Sequence, residues 1–308
     1  MCIGWCVFVG VYQMLALFRL ISRLPLGAVQ TLAGWLGWLG YLCSPSLRGR
    51  IRKNLDRAEA AGGVNQADAR ISSDRTPASE RIVASERLAR QSVVHSAKMI
   101  GESPWLWFRP LAQVAAKVHC VNEQVLDEAE ALGKGVLFIT PHIGNFDAAA
   151  RWYAYRRGVT VLFKPPKQAL LQPAMKAARS GERMQAAPTS VAGLRMCLRA
   201  LRSGSGVAIL PDQVPTEGDG RWVPFFGEPA YTMTLPQRLV EMSGAAVVLV
   251  LCERLGNGQG WRLHVERMLE PPTPEATNRT MERMIARLPA QYLWSYNRYK
   301  RPAHVSAP

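Results

Sequence analysis

Three short apolar runs, each closing on a proline beside a polar side chain, constrain this chain more than any other feature. Gly135-Val136-Leu137-Phe138-Ile139 leads into Thr140-Pro141-His142, Val159 to Phe163 leads into Lys164-Pro165, and Val207 to Leu210 leads into Pro211-Asp212-Gln213. Runs of this length suit buried strands better than helices. Helical patterns separate them, over Phe146 to Arg156 and over Val191 to Arg202, the second stopped by Ser203-Gly204; a short helix from Pro173 to about Arg179, with proline at its first position, is also expected. A helix from Leu235 to Met242 and strands over Ala245 to Cys252 and Trp261 to Val265 complete the series. Such alternation predicts an α/β fold with a largely parallel, mixed sheet flanked by helices. In open α/β sheets functional groups collect beyond the carboxyl ends of the strands, where His142, Lys164, Asp212 and Gln213 stand.

The first strand end carries the densest chemistry. In His142-Ile143-Gly144-Asn145-Phe146-Asp147 an imidazole and a carboxylate lie five residues apart as a strand gives way to a helix. A neutral imidazole near pH 7 can take a proton from a hydroxyl and return it to a leaving group. Asp147, in the first helical turn where a carboxylate is favoured, is expected to fix its tautomer. Gly144-Asn145 permits the tight turn between them. The H-x4-D spacing is met equally by a core histidine with a helix-capping Asp, and the pattern alone does not choose. Lys164, held beside two prolines, suits a phosphate or open solvent. Arg179 and Arg183 suit an anion or the carboxyl end of a helix dipole. Asp212-Gln213 opens a loop leading to Val223-Pro224-Phe225-Phe226-Gly227, which either covers an elongated apolar ligand or is a plain surface loop.

The formal net charge of +15 over 308 residues calls for acidic partners: nucleic acid, anionic lipid head groups or an acidic carrier protein. None of the six cysteines has C-x2-C spacing, so neither a zinc site nor a disulfide framework is indicated, and reduced cysteines suit a cytoplasmic-side domain. The N-terminus differs from the rest. Cys2 to Phe18 is almost wholly apolar, and a second apolar stretch follows Arg19 and Arg23, from Leu26 to Cys43. Each is near the lower limit of the roughly 17–25 residues that cross a bilayer, and no basic n-region marks a cleaved leader. Trp35, Trp38 and Tyr41 are expected on one helical face as an interfacial belt, with Arg48, Arg50, Arg52 and Lys53 as the cytoplasmic flank. Residues 1–46 are thus expected to form a membrane-associating helical segment, two buried core helices being the alternative. Residues 47–95 read as a basic flank and polar helical linker, and 96–308 as the chemistry-bearing domain.

Near the C-terminus Gln291-Tyr292-Leu293-Trp294 runs into Arg298-Tyr299-Lys300-Arg301-Pro302. Interleaved aromatics and cations suit a nucleic-acid surface, although no nucleic-acid module accompanies them. Arg298, Lys300 and Arg301 are candidates for docking an acidic partner or a phosphate. His264, alternating with Leu263 and Val265, reads as structural.

Taken in order, the apolar N-terminus with its basic flank, Thr140-Pro141-His142-Ile143-Gly144-Asn145-Phe146-Asp147, Phe163-Lys164-Pro165, Pro211-Asp212-Gln213, Val223-Pro224-Phe225-Phe226-Gly227-Glu228-Pro229-Ala230 and the C-terminal run form a pattern. It resembles the late acyltransferases of lipid A biosynthesis, the lauroyl and myristoyl transferase family within the wider H-x4-D/E acyltransferases. The resemblance implies a glycerolipid acyltransferase-like fold. It implies transfer of a fatty acyl chain from acyl carrier protein to a hydroxyl of a lipid A precursor, at the cytoplasmic face of the inner membrane. His142 would be the general base oriented by Asp147, with Asn145, Lys164, Arg179, Asp212, Gln213 and Arg298 at the substrates and Arg179 near the developing negative charge. The implied partners are acyl carrier protein, the lipid A precursor and membrane lipids, not nucleic acid. No cofactor, metal or covalent acyl-enzyme is implied. The alternatives are an acyltransferase for a lysophospholipid or another lipid alcohol, and a non-catalytic binder of anionic lipid or nucleic acid.

Overall fold

A run such as Val136-Leu137-Phe138-Ile139 has no polar face to offer water, so it folds as the inner strand of a sheet covered on both sides. A computed structural model describes residues 2–64, 78–164, 172, 181 and 183–306, giving only the backbone for 2–11, 78 and 81. Nine strands are described: β1 (Val118–Val121), β2 (Val136–Ile139), β3 (Val159–Phe163), β4 (Met184–Pro188), β5 (Gly206–Ile209), β6 (Gly220–Phe225), β7 (Glu228–Met233), β8 (Ala246–Arg254) and β9 (Trp261–Met268). Seven form one sheet in the order β1-β9-β8-β2-β5-β3-β4. Its pairings are parallel except β8 with β9, which is antiparallel. The mixed, mostly parallel sheet is therefore present. The helix expected from Pro173 to Arg179 lies outside the described residues.

The helices, in chain order, are α1 (Cys2–Arg23), α2 (Leu26–Cys43), α3 (Pro45–Ala60), α4 (Ala78–Phe108), α5 (Leu111–Ala115), α6 (Gln124–Ala131), α7 (Phe146–Arg156), α8 (Val191–Arg202), α9 (Leu235–Ser243) and α10 (Pro274–Arg287). One apolar cluster joins side chains of α3, α4, α8, α9 and α10 to one face of the sheet. The other joins α2, α5, α6 and α7 to the opposite face.

The excursion after Gln213 differs from both sequence readings. Its second half is the two-stranded hairpin β6-β7, closed by Phe226 and Gly227 at positive φ. Phe225 and Phe226 are buried in the core and cover no ligand site. Phe226 N–H donates to Glu282 of α10 at 2.6 Å.

The first two helices bend by 120° at Leu24-Pro25, and no single helix among the described residues is long and apolar enough to cross a membrane. One side of α2 packs on α4, with Gly37 against Ala97 and Gly101 against Ala33 allowing close approach of the backbones. Its other side leaves Leu32, Trp35, Leu36, Trp38, Leu39 and Leu42 exposed, Trp35 by 64%. Tyr41 leaves the expected aromatic face. Six residues rotate an α-helix by about 600°, which sets it some 120° from Trp35, and Tyr41 is buried with its hydroxyl donating to Glu86 at 2.8 Å. The basic flank is partly engaged: Arg48 caps the last carbonyls of α2 at Tyr41 and Leu42, and Arg52 pairs with Glu86. The polar stretch before Gln91 is the start of α4, and that helix continues unbroken to Phe108.

α4 is fastened to the sheet by charge. Arg254, at the end of β8, donates through Nε and a terminal nitrogen to the two carboxylate oxygens of Glu102, at 2.6 and 2.9 Å, and both side chains are buried. Its other terminal nitrogen lies 3.2 Å from His95 Nδ1, which must be unprotonated to accept. Burial, then the neighbouring cations Arg254 and Lys98, push the His95 imidazole from 6.5 down to about 3. Between those values the unfolded chain binds a proton that the folded chain refuses, so stability is lost as pH falls from 6.5. His95→Gln, which keeps an acceptor, should flatten the slope of unfolding free energy between pH 6.5 and 4.5 by up to about 1.4 kcal/mol per pH unit. Denaturant melts across that range check it; an unchanged slope would remove His95 from the acid response.

Candidate active site

The register of two neighbouring strands builds the site. β2 and β5 are parallel with Ile139 opposite Ile209. Three residues further on, each chain has passed a proline and presents a polar side chain, His142 on one and Asp212 on the other. Asp212 accepts from the His142 ring at Nδ1 (2.7 Å) with one oxygen and from the His142 backbone N–H (2.8 Å) with the other. With Nδ1 carrying the hydrogen, Nε2 is the free base, and it accepts from the Gln213 amide at 3.0 Å. The edge of Phe146 lies against the ring, the centroids 5.0 Å apart.

Burial pushes the Asp212 carboxyl up, but the His142 ring, its backbone N–H and the guanidinium of Arg298 outweigh that and hold it below its ordinary value. Arg298 is itself 2% exposed, donating to the Tyr231 carbonyl (2.7 Å) and to Thr232 Oγ1 (2.5 Å), with Phe225 beneath it. Tyr292 completes the surroundings; burial and the Asp212 charge keep its phenol protonated. Asp212 is therefore an ionised carboxylate sealed from water, held on one side by the imidazole and on the other by a cation.

The His142 loop is clamped from three sides. Leu293 N–H donates to the His142 carbonyl (3.1 Å), Gly144 N–H to Gln291 (3.1 Å), Asn145 N–H to Cys252 (3.3 Å), and Arg254 to the Gly144 carbonyl (2.6 Å). Gly144 has φ +57°, and a Cβ there would sit 1.5 Å from the Cys252 oxygen, so no other residue fits. Asn145 caps α7 by accepting from the Asp147 N–H (3.2 Å).

A cavity of about 560 Å³ opens at His142. Gln213, Asp147 and Lys164 lie around it on the polar side, while Phe138, Tyr153 and Val265 are among the apolar side chains of its wall.

Residues 78–301 match the family of bacterial lipid A biosynthesis acyltransferases, well over half of the chain. The chain belongs to that family. Among curated relatives, it is 26% identical to the lipid A biosynthesis lauroyltransferase of Escherichia coli (strain K12) over 234 residues, 72% of this chain and 76% of that protein. It is 27% identical over 214 residues to the palmitoleoyltransferase of the same strain and to a lipid A biosynthesis acyltransferase of Shigella flexneri, covering 67% of this chain and 69% of each. The protein is thus an acyltransferase, and the geometry is that of an acyltransferase site.

Several expected roles shift within it. Asp147 does not meet the imidazole: Asp212 occupies Nδ1, while Asp147 accepts from the Trp107 indole at 3.2 Å and faces the cavity. An i to i+5 step across a helix cap turns the carboxylate onto α7, whereas the neighbouring strand brings one in register. Asp212 is correspondingly a partner of the histidine and lies behind it, away from the cavity. Asn145, 1% exposed, gives its amide to Glu102 (2.7 Å) and its oxygen to the helix cap, leaving nothing for a substrate. Arg298 is a core arginine and cannot dock a partner, because its donors are spent on the hairpin. Burial of Tyr292 and Trp294 likewise makes the aromatic and basic run an internal element, with only Lys300 and Arg301 at its exposed end. Lys164 is exposed at the cavity and Gln213 faces it. Arg179 lies outside the described residues; Arg183 donates to the Tyr155 carbonyl at 2.7 Å. His264 meets Glu253 at 2.9 Å on the sheet.

Glu102, Arg254 and Gln291 went unread in the sequence. Their only signal was being polar within apolar or helical runs. Gly144→Ala tests the clamp: it should destabilise the fold by more than about 1 kcal/mol and cut acyl transfer about 10²-fold. Thermal melts and turnover check both; a variant of wild-type stability and rate would show that the loop has room the geometry denies it.

Proposed function

We propose that the protein moves a fatty acyl chain from the thioester of acyl carrier protein to a hydroxyl of a lipid A precursor, with His142 as general base and Asp212 as the residue that orients it. One observation carries the reading: Nδ1–H is fixed on a buried carboxylate while Nε2 faces a cavity with an apolar wall. The acceptor hydroxyl replaces the Gln213 amide at Nε2. As Nε2 takes the proton, the oxygen attacks the thioester carbonyl and a tetrahedral intermediate forms. Its collapse expels the carrier's thiolate, which receives the same proton from the imidazolium, leaving an ester and a free thiol. Asp212 stabilises the transient imidazolium as it would in any hydroxyl–His–Asp arrangement. Gln213 and Lys164 are the polar groups placed to meet the negative charge developing on the carbonyl oxygen. The apolar wall under α7 accommodates the acyl chain. We read the fold as glycerolipid acyltransferase-like.

The exposed side of α2, with Trp35, Leu36 and Leu39, supports an in-plane membrane anchor, since apolar residues outside and small residues against α4 suit a helix lying in the head-group boundary. This reading sets the cavity at the cytoplasmic face of the inner membrane. The net charge of +15 favours encounter with both an acidic carrier and a phosphorylated acceptor.

Turnover of acyl carrier thioester with lipid A precursor tests the assignment. His142→Ala should lose about 10²–10⁴-fold in rate while folding and vesicle binding persist. Asp212→Asn should lose a comparable factor, because the amide donates to Nδ1 and forces the hydrogen onto Nε2. Asp147→Asn should cost less than Asp212→Asn; the reverse order would return the orienting role to Asp147. Near wild-type turnover in His142→Ala would remove the base itself.

A companion prediction concerns the carrier. Reversing Lys300 and Arg301 to Glu should raise the Michaelis constant for the carrier thioester, more at low salt than at high, since exposed charges are screened beyond about 8 Å at physiological ionic strength. Kinetics indifferent to both salt and the substitutions would exclude that end of the chain as the docking surface.

A further inference from the structure

Behind the His142 loop, on the side away from the cavity, lies a closed set of polar side chains. Glu102 of α4 accepts four hydrogen bonds. Its Oε1 takes Gln30 Nε2 (2.7 Å) and Arg254 Nε (2.6 Å), and its Oε2 takes Asn145 Nδ2 (2.7 Å) and an Arg254 terminal nitrogen (2.9 Å). That same Arg254 nitrogen holds the Gly144 carbonyl (2.6 Å), and Gln30 Oε1 accepts from Gly258 N–H (3.1 Å). Gln30, Glu102, Asn145 and Arg254 are all buried. None of the four lines the cavity.

Burying an ion pair is a weak source of stability, because the cost of desolvating both charges offsets most of their attraction and a packed apolar substitute often does as well. What this pair supplies that an apolar substitute cannot is direction. Its donors and acceptors end on two consecutive residues of the loop, Gly144 and Asn145, and through them fix the height of His142 above the sheet. Its other end is Gln30, on the helix whose outer side carries Trp35 and Leu36.

We infer that Gln30, Glu102 and Arg254 are positioning residues for acyl transfer, and that α2 takes part in assembling the active site as well as in anchoring the protein. The inference rests on the proposed role of His142. A step of about 1 Å in a reacting group costs on the order of 10²-fold in rate, so a loosened clamp shows in kcat. The Michaelis constants and membrane binding do not depend on it.

The experiment uses the full chain in detergent micelles and two variants. Gln30→Leu removes the link to α2 and leaves the ion pair; Arg254→Lys keeps the charge and loses the fork that reaches Gly144. Three quantities are read: kcat and the Michaelis constants with acyl carrier thioester, co-sedimentation with anionic vesicles, and amide hydrogen exchange over residues 142–147. Gln30→Leu should lower kcat about tenfold and Arg254→Lys about 10²-fold. In both, Michaelis constants should stay within about twofold, vesicle binding should match wild type, and exchange should quicken over 142–147 alone. Should Arg254→Lys fail to fold, Gln30→Leu decides. Wild-type exchange across the loop in Gln30→Leu overturns the inference, as does a wild-type kcat, or a loss of activity that follows vesicle binding. Exchange is read without any substrate, so it tests the clamp even where the proposed acyl transfer fails.

Discussion

The pairing of β2 with β5 in one register is the constraint from which the site follows. Both strands are four residues long and buried on both faces, so alternation of polar and apolar side chains cannot set their offset as it does in a half-exposed sheet. Packing sets it instead. Gly206 stands opposite Val136, and a Cβ at Gly206 would come within 2.5 Å of the Tyr153 ring and 2.9 Å of Phe138. Those two rings meet edge to face, 4.5 Å between centroids, and need the space the glycine leaves. A slip by one residue would drive a valine or serine side chain into them and would also set Pro211 or Gln213 opposite His142. The acid–base pair is thus a consequence of core packing below it.

Two buried arginines then act from opposite sides. Arg298 lies behind Asp212 and makes an ionised carboxylate tolerable in a place where burial alone would protonate it. Arg254 lies behind the loop and, with Glu102, controls its backbone. Neither is placed to touch a substrate, and each has its charge matched by carboxylate or by carbonyl oxygens, as a buried cation requires. The C-terminal segment joins the two. Gln291 holds Gly144 and the backbone of Arg254 at one end, while Arg298 holds the hairpin at the other. Asn54 of α3 gives its amide to the carbonyls of Trp294 and Tyr296, at 2.7 and 2.8 Å, and so secures the segment between them.

Much of this could be read in the sequence, and the division is physical. Elements with a local signature stood out: Phe146–Arg156, Val159–Phe163 and Val191–Arg202 have the bounds that cap, periodicity and breaker residues predict. So did the strand ends bearing His142 and Asp212, each after a proline. Their partnership did not, because it depends on which strand lies beside β2, and 70 residues separate the two. A carboxylate five residues away was the nearer choice in sequence and the farther in space. β1 and β4 were missed, each short and with exposed positions at the sheet's two edges. The hairpin passed for a loop because prolines and glycines dominate it. Arg298 looked like surface because its neighbours Lys300 and Arg301 are; only the tertiary contacts of Tyr231 and Thr232 distinguish it.

The N-terminal helices show why composition left two readings open there. A helix wholly in lipid and a helix wholly in a core are both apolar all round, and α2 is apolar all round while being neither. Its small residues and Gln30 face α4, where close approach and a polar contact to Glu102 are needed; its large residues face outward. A helix in hydrocarbon gains little by burying Leu against Leu, but gains from close packing of small residues. A helix on a water-soluble core would turn its tryptophans inward. Segregation by size rather than by polarity therefore marks an element serving two surroundings at once, and the single buried glutamine on its inner side ties it to the catalytic loop.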